Sequence, residues 1–234
     1  MLIREMHYDF KLKYNKTDSQ VNRNYLVPEI DWLLNEAEGI FVKVIAEPRV
    51  KNNLGFETSQ RTIDDIRSVV VSDISTPIVN NTIALPSNYQ HFVKGTVVLR
   101  KGDCPLSKPV RVLIKQSDDE FEKSPFDNSN YNWREVVGTF NQNGIQVQLD
   151  GTFTIEDAKL TYIRKRAYMH NAQDFSSGTY LHPSGATLNG SVNCELPEHT
   201  HREIVDIAVM LASGQVQTSD YQIKMNKLNF NQLI

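Results

Sequence analysis

At 234 residues, with 40% hydrophobic and 23% charged side chains, the chain has the make-up of an ordinary globular protein, long enough for one large domain or two small ones. A formal net charge of −3 and a pI near 6.1 argue against a protein that grips nucleic acid through a phosphate-neutralising surface. The two cysteines, Cys104 and Cys194, are too few and too far apart for a disulfide scaffold, so a reducing compartment is the default.

The opening residues Met1 to Met6 are charged too early for a signal-peptide core, and nothing approaches the apolar run of a transmembrane helix, so a soluble protein without a membrane partner is expected. Ile3, Met6, Phe10 and Tyr14 share one helical face, which predicts a short amphipathic helix over 3–14. A polar link over 15–27 reads as a loop. From Pro28 to Ala46, Ile30, Leu33, Leu34, Ala37, Phe41, Val44 and Ile45 mark a long amphipathic helix. Pro28 suits its first position and Glu47-Pro48 its end. Glu29, Asp31, Asn35, Glu36, Glu38 and Lys43 are assigned to water or a neighbouring subunit, and Gly39 to close packing or a slight bend.

Residues 47–61 read as an exposed loop. Thr62, Asp64 and Asp65 then open a short helix that buries Ile63 and Ile66. The chain thereafter changes to β character. Strands are expected over 69–74, 82–85, 95–100, 110–116, 132–140, 144–149, 152–155 and 159–164, with a turn at Asn80-Asn81 and one helical turn near 86–89. The stretch 101–109 reads as a loop, 118–123 as a helical turn and 126–131 as a loop. Asn143-Gly144 and Asp150-Gly151 are tight-turn signals, and Glu156-Asp157 reads as a turn between strands. Ile145, Val147 and Leu149 alternate with Gln146, Gln148 and Asp150, as in a sheet with one wet face. Residues 167–191, carrying Gly178, Pro183, Gly185 and Gly190, are too long for an ordinary connection and read as a mobile loop or a surface arm. A helix marked by Ile204, Val205, Ala208, Leu211 and Ala212 follows a start at Glu195 to Glu198 and ends at Gly214. A further short helix is expected over 219–228, before a tail.

The fold class expected is α+β, amphipathic helices packed with an antiparallel β-sheet or β-sandwich domain. Residues 1–68 form its helical part, completed by the 195–214 helix. Residues 69–166 form the β-rich domain, 167–194 a long loop or arm and 215–234 a C-terminal extension. No catalytic set stands out, and no catalytic residue, cofactor or metal is assigned. Cys194, His199 and His201 lie close together, but C-x4-H-x-H matches no common zinc spacing. A half-buried cysteine beside two surface histidines at a helix start is the better reading. The acidic groups Asp64-Asp65 and Asp118-Asp119-Glu120 suit helix starts. Arg164-Lys165-Arg166 reads as a solvated strand end. Phe126, Tyr131 and Trp133 could stack on a sugar or a single strand, but with only Arg134 basic nearby a sheet-edge anchor or subunit contact is favoured.

Three stretches are informative together: the strand running into LPSNY at Leu85 to Tyr89, the LTYIRKR strand at Leu160 to Arg166, and LPEHTHREIVDIAV at Leu196 to Val209. With the helix WLLNEAEGIFVKVI at Trp32 to Ile45, the set resembles neck proteins of tailed bacteriophages. It is most similar to a connector-ring protein of crAss-like phages, in a layout like that of podovirus head–tail adaptors. The likeness runs from residue 28 to 212 and rests on short structural motifs. It implies a non-enzymatic virion structural protein, a ring homo-oligomer, commonly a dodecamer, docked beneath the portal protein and contacting other neck or tail proteins. Genome DNA would pass through it without specific binding, and the protein would be made in the host bacterial cytoplasm. Mild net negative charge is consistent with a channel that does not hold phosphates. The loop at 167–191 and the tail from 219 would supply partner contacts, with Tyr221, Met225, Leu228 and Phe230 as apolar anchors. The alternatives are another tail or fibre-docking virion protein, or a small β-rich module binding carbohydrate or nucleic acid.

Overall fold

The computed structural model describes residues 1–15, 24–46, 64–102, 104–105, 109–115 and 129–215. The chain divides into two compact units, Met1–Ser68 with Arg166–Ile234, and Val69–Lys165. The fold is α+β: among the described residues, three α-helices accompany a large curled, mostly antiparallel sheet.

The first unit is helical. Helix α1 (Ile3–Asn15) buries Ile3, Met6, Phe10 and Tyr14, the face expected from their spacing. Helix α2 (Val27–Ala46) buries Ile30, Leu33, Leu34, Ala37, Phe41 and Val42. Each starts with a glutamate reaching back to a free amide: Leu2 N donates to Glu5 Oε2 and Leu26 N to Glu29 Oε2, both at 2.8 Å. Helix α3 (His201–Gln215) lies on both, inserting Ile204, Val205, Ala208 and Ala212. A 3-10 turn, Glu198–Thr200, introduces it, and Thr200 Oγ1 donates to the Pro197 carbonyl at 2.9 Å. Near the start of α2, Tyr25 meets the rings of Phe10 and Tyr14 edge-on, with centroids 5.9 and 5.0 Å away. An alanine methyl at Gly39 would meet Arg166 Nη2 at 3.6 Å, ordinary contact, so space alone does not demand glycine there.

The stretch expected to be a loop or arm is instead built into this unit. It holds two small ladders, β10 (His170–Asn171) with β13 (Ser191–Val192) and β11 (Thr179–Leu181) with β12 (Thr187–Asn189). Met169, His170, Asn171, Ala172 and Tyr180 are buried. Low aliphatic content made this segment look solvated, but polar bonds rather than aliphatic packing hold it.

The second unit is one sheet of strands β1 (Val70–Ser75), β2 (Ile78–Val79), β3 (Thr82–Ala84), β4 (Tyr89–Lys101), β5 (Cys104–Pro105), β6 (Val110–Ile114), β7 (Val136–Asn141), β8 (Gly144–Gln148) and β9 (Thr154–Arg164). They run in the order β1-β9-β4-β6-β7-β8-β3-β2, with β5 paired to β4. The two strands at the ends of this path are one stretch of chain, separated only by Thr76 and Pro77. Thr76 N donates to the Ala158 carbonyl on one side, and the Pro77 carbonyl accepts from Ala84 N on the other, both at 3.0 Å. The sheet therefore curls until it meets itself, around Ile83, Val97, Leu99, Val112, Ile145, Val147, Leu160 and Tyr162. It is a single closed sheet rather than a sandwich. The β6–β7 pair is parallel, Val112 opposite Val136, so the sheet is mostly rather than wholly antiparallel.

Several boundaries move for local reasons. Residues 152–155 and 159–164 belong to one strand, β9, and Glu156-Asp157 does not turn. A register shift opposite Val98 and Leu99 absorbs the extra residue as a bulge. Residues 132–134 turn rather than extend: Asn130 Oδ1 accepts from Asn132 N and Trp133 N, and Arg134 takes a positive φ of 56°. No helical turn precedes β4; Tyr89 N bonds back to the Pro86 carbonyl and the strand begins there. Asn80 and Asn81, with φ of 50° and 60°, make the two-residue turn between β2 and β3.

Candidate functional site

The site most distinct from ordinary packing lies in the helical unit, around Asp31. This carboxylate is 0% exposed and sits in the early turns of α2, where the helix dipole favours negative charge. His7 Nε2 of α1 lies 2.7 Å from Oδ1. The backbone N–H of Asn171 lies 3.2 and 3.1 Å from the two oxygens, and Tyr180 O–H donates to Oδ2 at 2.6 Å. One carboxylate thus ties α1, α2, β10 and β11 together. Four residues along, Asn35 extends the same rail: its amide donates to the Met169 carbonyl at 2.7 Å and its Oδ1 accepts from Met169 N at 3.0 Å. Burial and the bond to Asp31 push the Tyr180 phenol well above its usual range. Tyr168 is pushed up to about 12 by burial and the Asp31 charge. Both phenols stay protonated as donors, so the arrangement holds structure and offers no phenolate.

A second buried carboxylate, Glu38, stands seven residues further along α2 and is 2% exposed. Arg166 Nε lies 3.5 Å from its Oε2, Arg166 Nη1 donates to its backbone carbonyl at 2.7 Å, and the Cys194 thiol donates to its Oε1 at 3.4 Å. Burial raises the Glu38 pKa, against the pull of the Arg166 guanidinium. Burial and the Glu38 charge push the Cys194 thiol up to about 12, which removes it as a nucleophile at neutral pH.

Asp31 and Glu38 correct the assignment of α2's polar residues to water or a neighbour. Their signal was present: positions 31, 34, 38 and 41 keep the spacing of the apolar face, so both acids fall on the buried side. Arg166 likewise leaves the solvated strand end expected of Arg164-Lys165-Arg166 and turns into an ion pair. The grouping of Cys194, His199 and His201 separates in space. His199 Nε2 pairs with Asp65 Oδ1 at 2.7 Å, while His201 is buried with Nε2 2.8 Å from the Leu196 carbonyl and is not a surface histidine. Tyr131 turns inward against Phe153, with Lys101 Nζ 5.8 Å from its ring centroid, whereas Trp133 is exposed on the turn. The two do not share a stacking face. Phe126, the acidic group at 118–120, and Tyr221, Met225, Leu228 and Phe230 lie outside the described residues.

Beside the Asp31 network the surface opens into a groove of about 400 Å³ lined by Tyr25, Trp32, Tyr168, Tyr180, Leu181 and Pro183 among others. Trp32 is 50% and Leu181 69% exposed. On α1 a separate apolar pair, Tyr8 and Leu12, faces out one turn apart, Tyr8 being 70% exposed. No protein-family model matches the chain, and no curated protein matches it. Among the described residues no helix is long and apolar enough to cross a membrane.

Proposed function

We propose that this chain is a structural virion protein that forms a ring in the neck of a tailed bacteriophage, between portal and tail, continuing the DNA channel. The observation that carries the reading is the pair of separate apolar surfaces on the helical unit, Tyr8 with Leu12 on α1 and the groove of Trp32 and Leu181. A subunit of a closed ring meets its two neighbours through different surfaces, so it needs two such patches.

The stretches that carry the family resemblance fall as two contacting pairs. In the sheet unit Tyr162 O–H donates to Asn88 Oδ1 at 2.9 Å and Lys165 N to the Asn88 carbonyl at 2.6 Å, joining LTYIRKR to LPSNY. In the helical unit the helices containing WLLNEAEGIFVKVI and LPEHTHREIVDIAV pack on each other. These residues hold shape, which suits a scaffold role. Ring size and the dodecamer expectation remain with the resemblance.

Native mass measurement and imaging of the purified chain, alone and with a portal protein, test the reading. Closed rings in either condition support it. A monomer in both conditions, without portal association, overturns it. Tyr8→Asp with Leu12→Asp should abolish rings while leaving the circular dichroism spectrum unchanged.

A further inference from the structure

We infer that the outer face of β9, β4 and β6 docks an acidic segment of a partner protein. This face belongs to the sheet unit, whereas the two patches that carry the ring reading belong to the helical unit.

Along a strand of the curled sheet, side chains point alternately into the core and out of it. Val97, Leu160 and Val112 belong to the core, so their neighbours Thr96, Lys159 and Arg111 stand on the outer face. The register brings these three together: Thr96 lies opposite Lys159 on one side and opposite Arg111 on the other. Lys94 precedes Thr96 by two residues with no shift between them, so it shares the face. Three cations thus surround one threonine, within about 10 Å across the strands and about 7 Å along β4. All three are exposed, and none has an ion pair or hydrogen bond among the described residues.

Two carboxylates flank the cluster, both from the β1 side. Ser75 Oγ donates to Asp157 Oδ1 at 3.0 Å, and Asp73, whose N–H donates to Thr161 Oγ1 at 3.2 Å, is on β1 itself. Neither pairs with the cations, so like charges stand together on one sheet face without a counter-charge among the described residues. Thr96 between them is only 8% exposed, and its hydroxyl has no partner among the described residues. A nearly buried O–H set between cations is a donor in want of an acceptor, and an anion suits those surroundings.

A carboxylate-bearing protein segment fits the face better than a nucleic acid does. Leu113, two residues beyond Arg111 on the same face, is 43% exposed, so an apolar contact adjoins the charge. Among the described outward positions around Thr96 no aromatic ring offers a base to stack on. Three cations with Asp73 and Asp157 beside them are also few for a phosphate backbone.

The test is fluorescence anisotropy with the full chain, using two labelled probes at low salt: a short peptide of repeated Glu-Leu-Glu-Gly units and a thymidine oligonucleotide of equal length. The peptide is expected to bind, and more weakly as salt is raised. Lys94→Glu with Arg111→Glu and Lys159→Glu should weaken it at least about tenfold. Thr96→Val, which keeps the shape and removes the donor, should weaken it roughly three- to tenfold. Should the charge reversals disturb folding, glutamine at the same three positions repeats the readout. An oligonucleotide that binds as tightly as the peptide overturns the inference in favour of nucleic acid. Peptide binding that the variants leave unchanged overturns it by placing the peptide elsewhere, and no peptide binding overturns it outright.

Discussion

In the sheet unit, the buried polar side chains among the described residues are the uncharged Thr76, Thr96, Ser129 and Thr139, and the strands are placed by backbone ladders around an aliphatic and aromatic cluster. In the helical unit, three helices supply an apolar core too, but the segment at 168–181 is fastened by Asp31, Asn35 and Tyr180, and Arg166 by Glu38. The difference follows from what each has to position. An inner strand of the sheet has a partner on both sides, so alternation of apolar residues suffices to orient it. An aliphatic-poor segment crossing a helix has no ladder to join there, and directional bonds to a buried charge fix it instead. Such bonds are strong only when complete, because a buried carboxylate without its donors is costly.

Breaking the polar fastening should therefore have the largest effect. Asp31→Ala leaves His7, the Asn171 N–H and Tyr180 without their acceptor, and a loss of about 3–5 kcal/mol is expected in urea unfolding. Hydrogen exchange of the Asn171 amide should rise sharply while amides of β4 and β9 keep their protection. Equal loss of protection in both units would mean that the Asp31 bonds do not fasten the helical unit separately from the sheet.

The corresponding weak point of the sheet is backbone geometry rather than charge. Gly144 has a φ of 148°, and a Cβ there would overlap the Ile83 carbonyl across the β3–β8 pair. Gly144→Ala should cost at least about 2 kcal/mol and leave the Asp31 network intact, with Tyr180 still shielded from solvent. A neutral effect would mean that the hairpin tolerates a different register.

The smallest effect expected is a pH dependence of the helical unit. Burial lowers the His201 pKa below its usual 6.5, against the bond to the Leu196 carbonyl. The folded state then binds fewer protons than the unfolded one just below pH 6.5, so stability rises with pH through that window and falls on acidification. Urea unfolding followed between pH of about 5 and 7 should show stability rising with pH. His201→Gln should flatten it. A slope unchanged by that substitution would assign it to another group.

Much of the architecture was legible in the sequence. The face of α1, the α2 face as far as Phe41 (beyond it Val42 is buried and the expected Val44 is exposed), the helix at Ile204 to Ala212, the Asn80-Asn81 turn and the alternation through Ile145 and Val147 follow from periodicity and turn chemistry, which are local. The candidate site was legible only as spacing: Asp31 and Glu38 occupy apolar positions of α2, yet their residue type pointed to water. Their partners, Tyr180 149 residues away and Arg166 128 residues away, have no local mark. The segment at 167–191 was misread for the same reason, since composition reports aliphatic packing and is silent about bonds to a distant carboxylate.

By itself, then, the sequence determined the three helices, most strands of the sheet unit and most of their apolar faces, because those properties depend on neighbours within a few residues. Tertiary structure alone decided that two acids are buried, that Glu156-Asp157 bulges instead of turning, and that the chain through Thr76-Pro77 closes the sheet on itself. Each of these depends on what stands opposite, which is set by pairing across the fold and not by order along the chain.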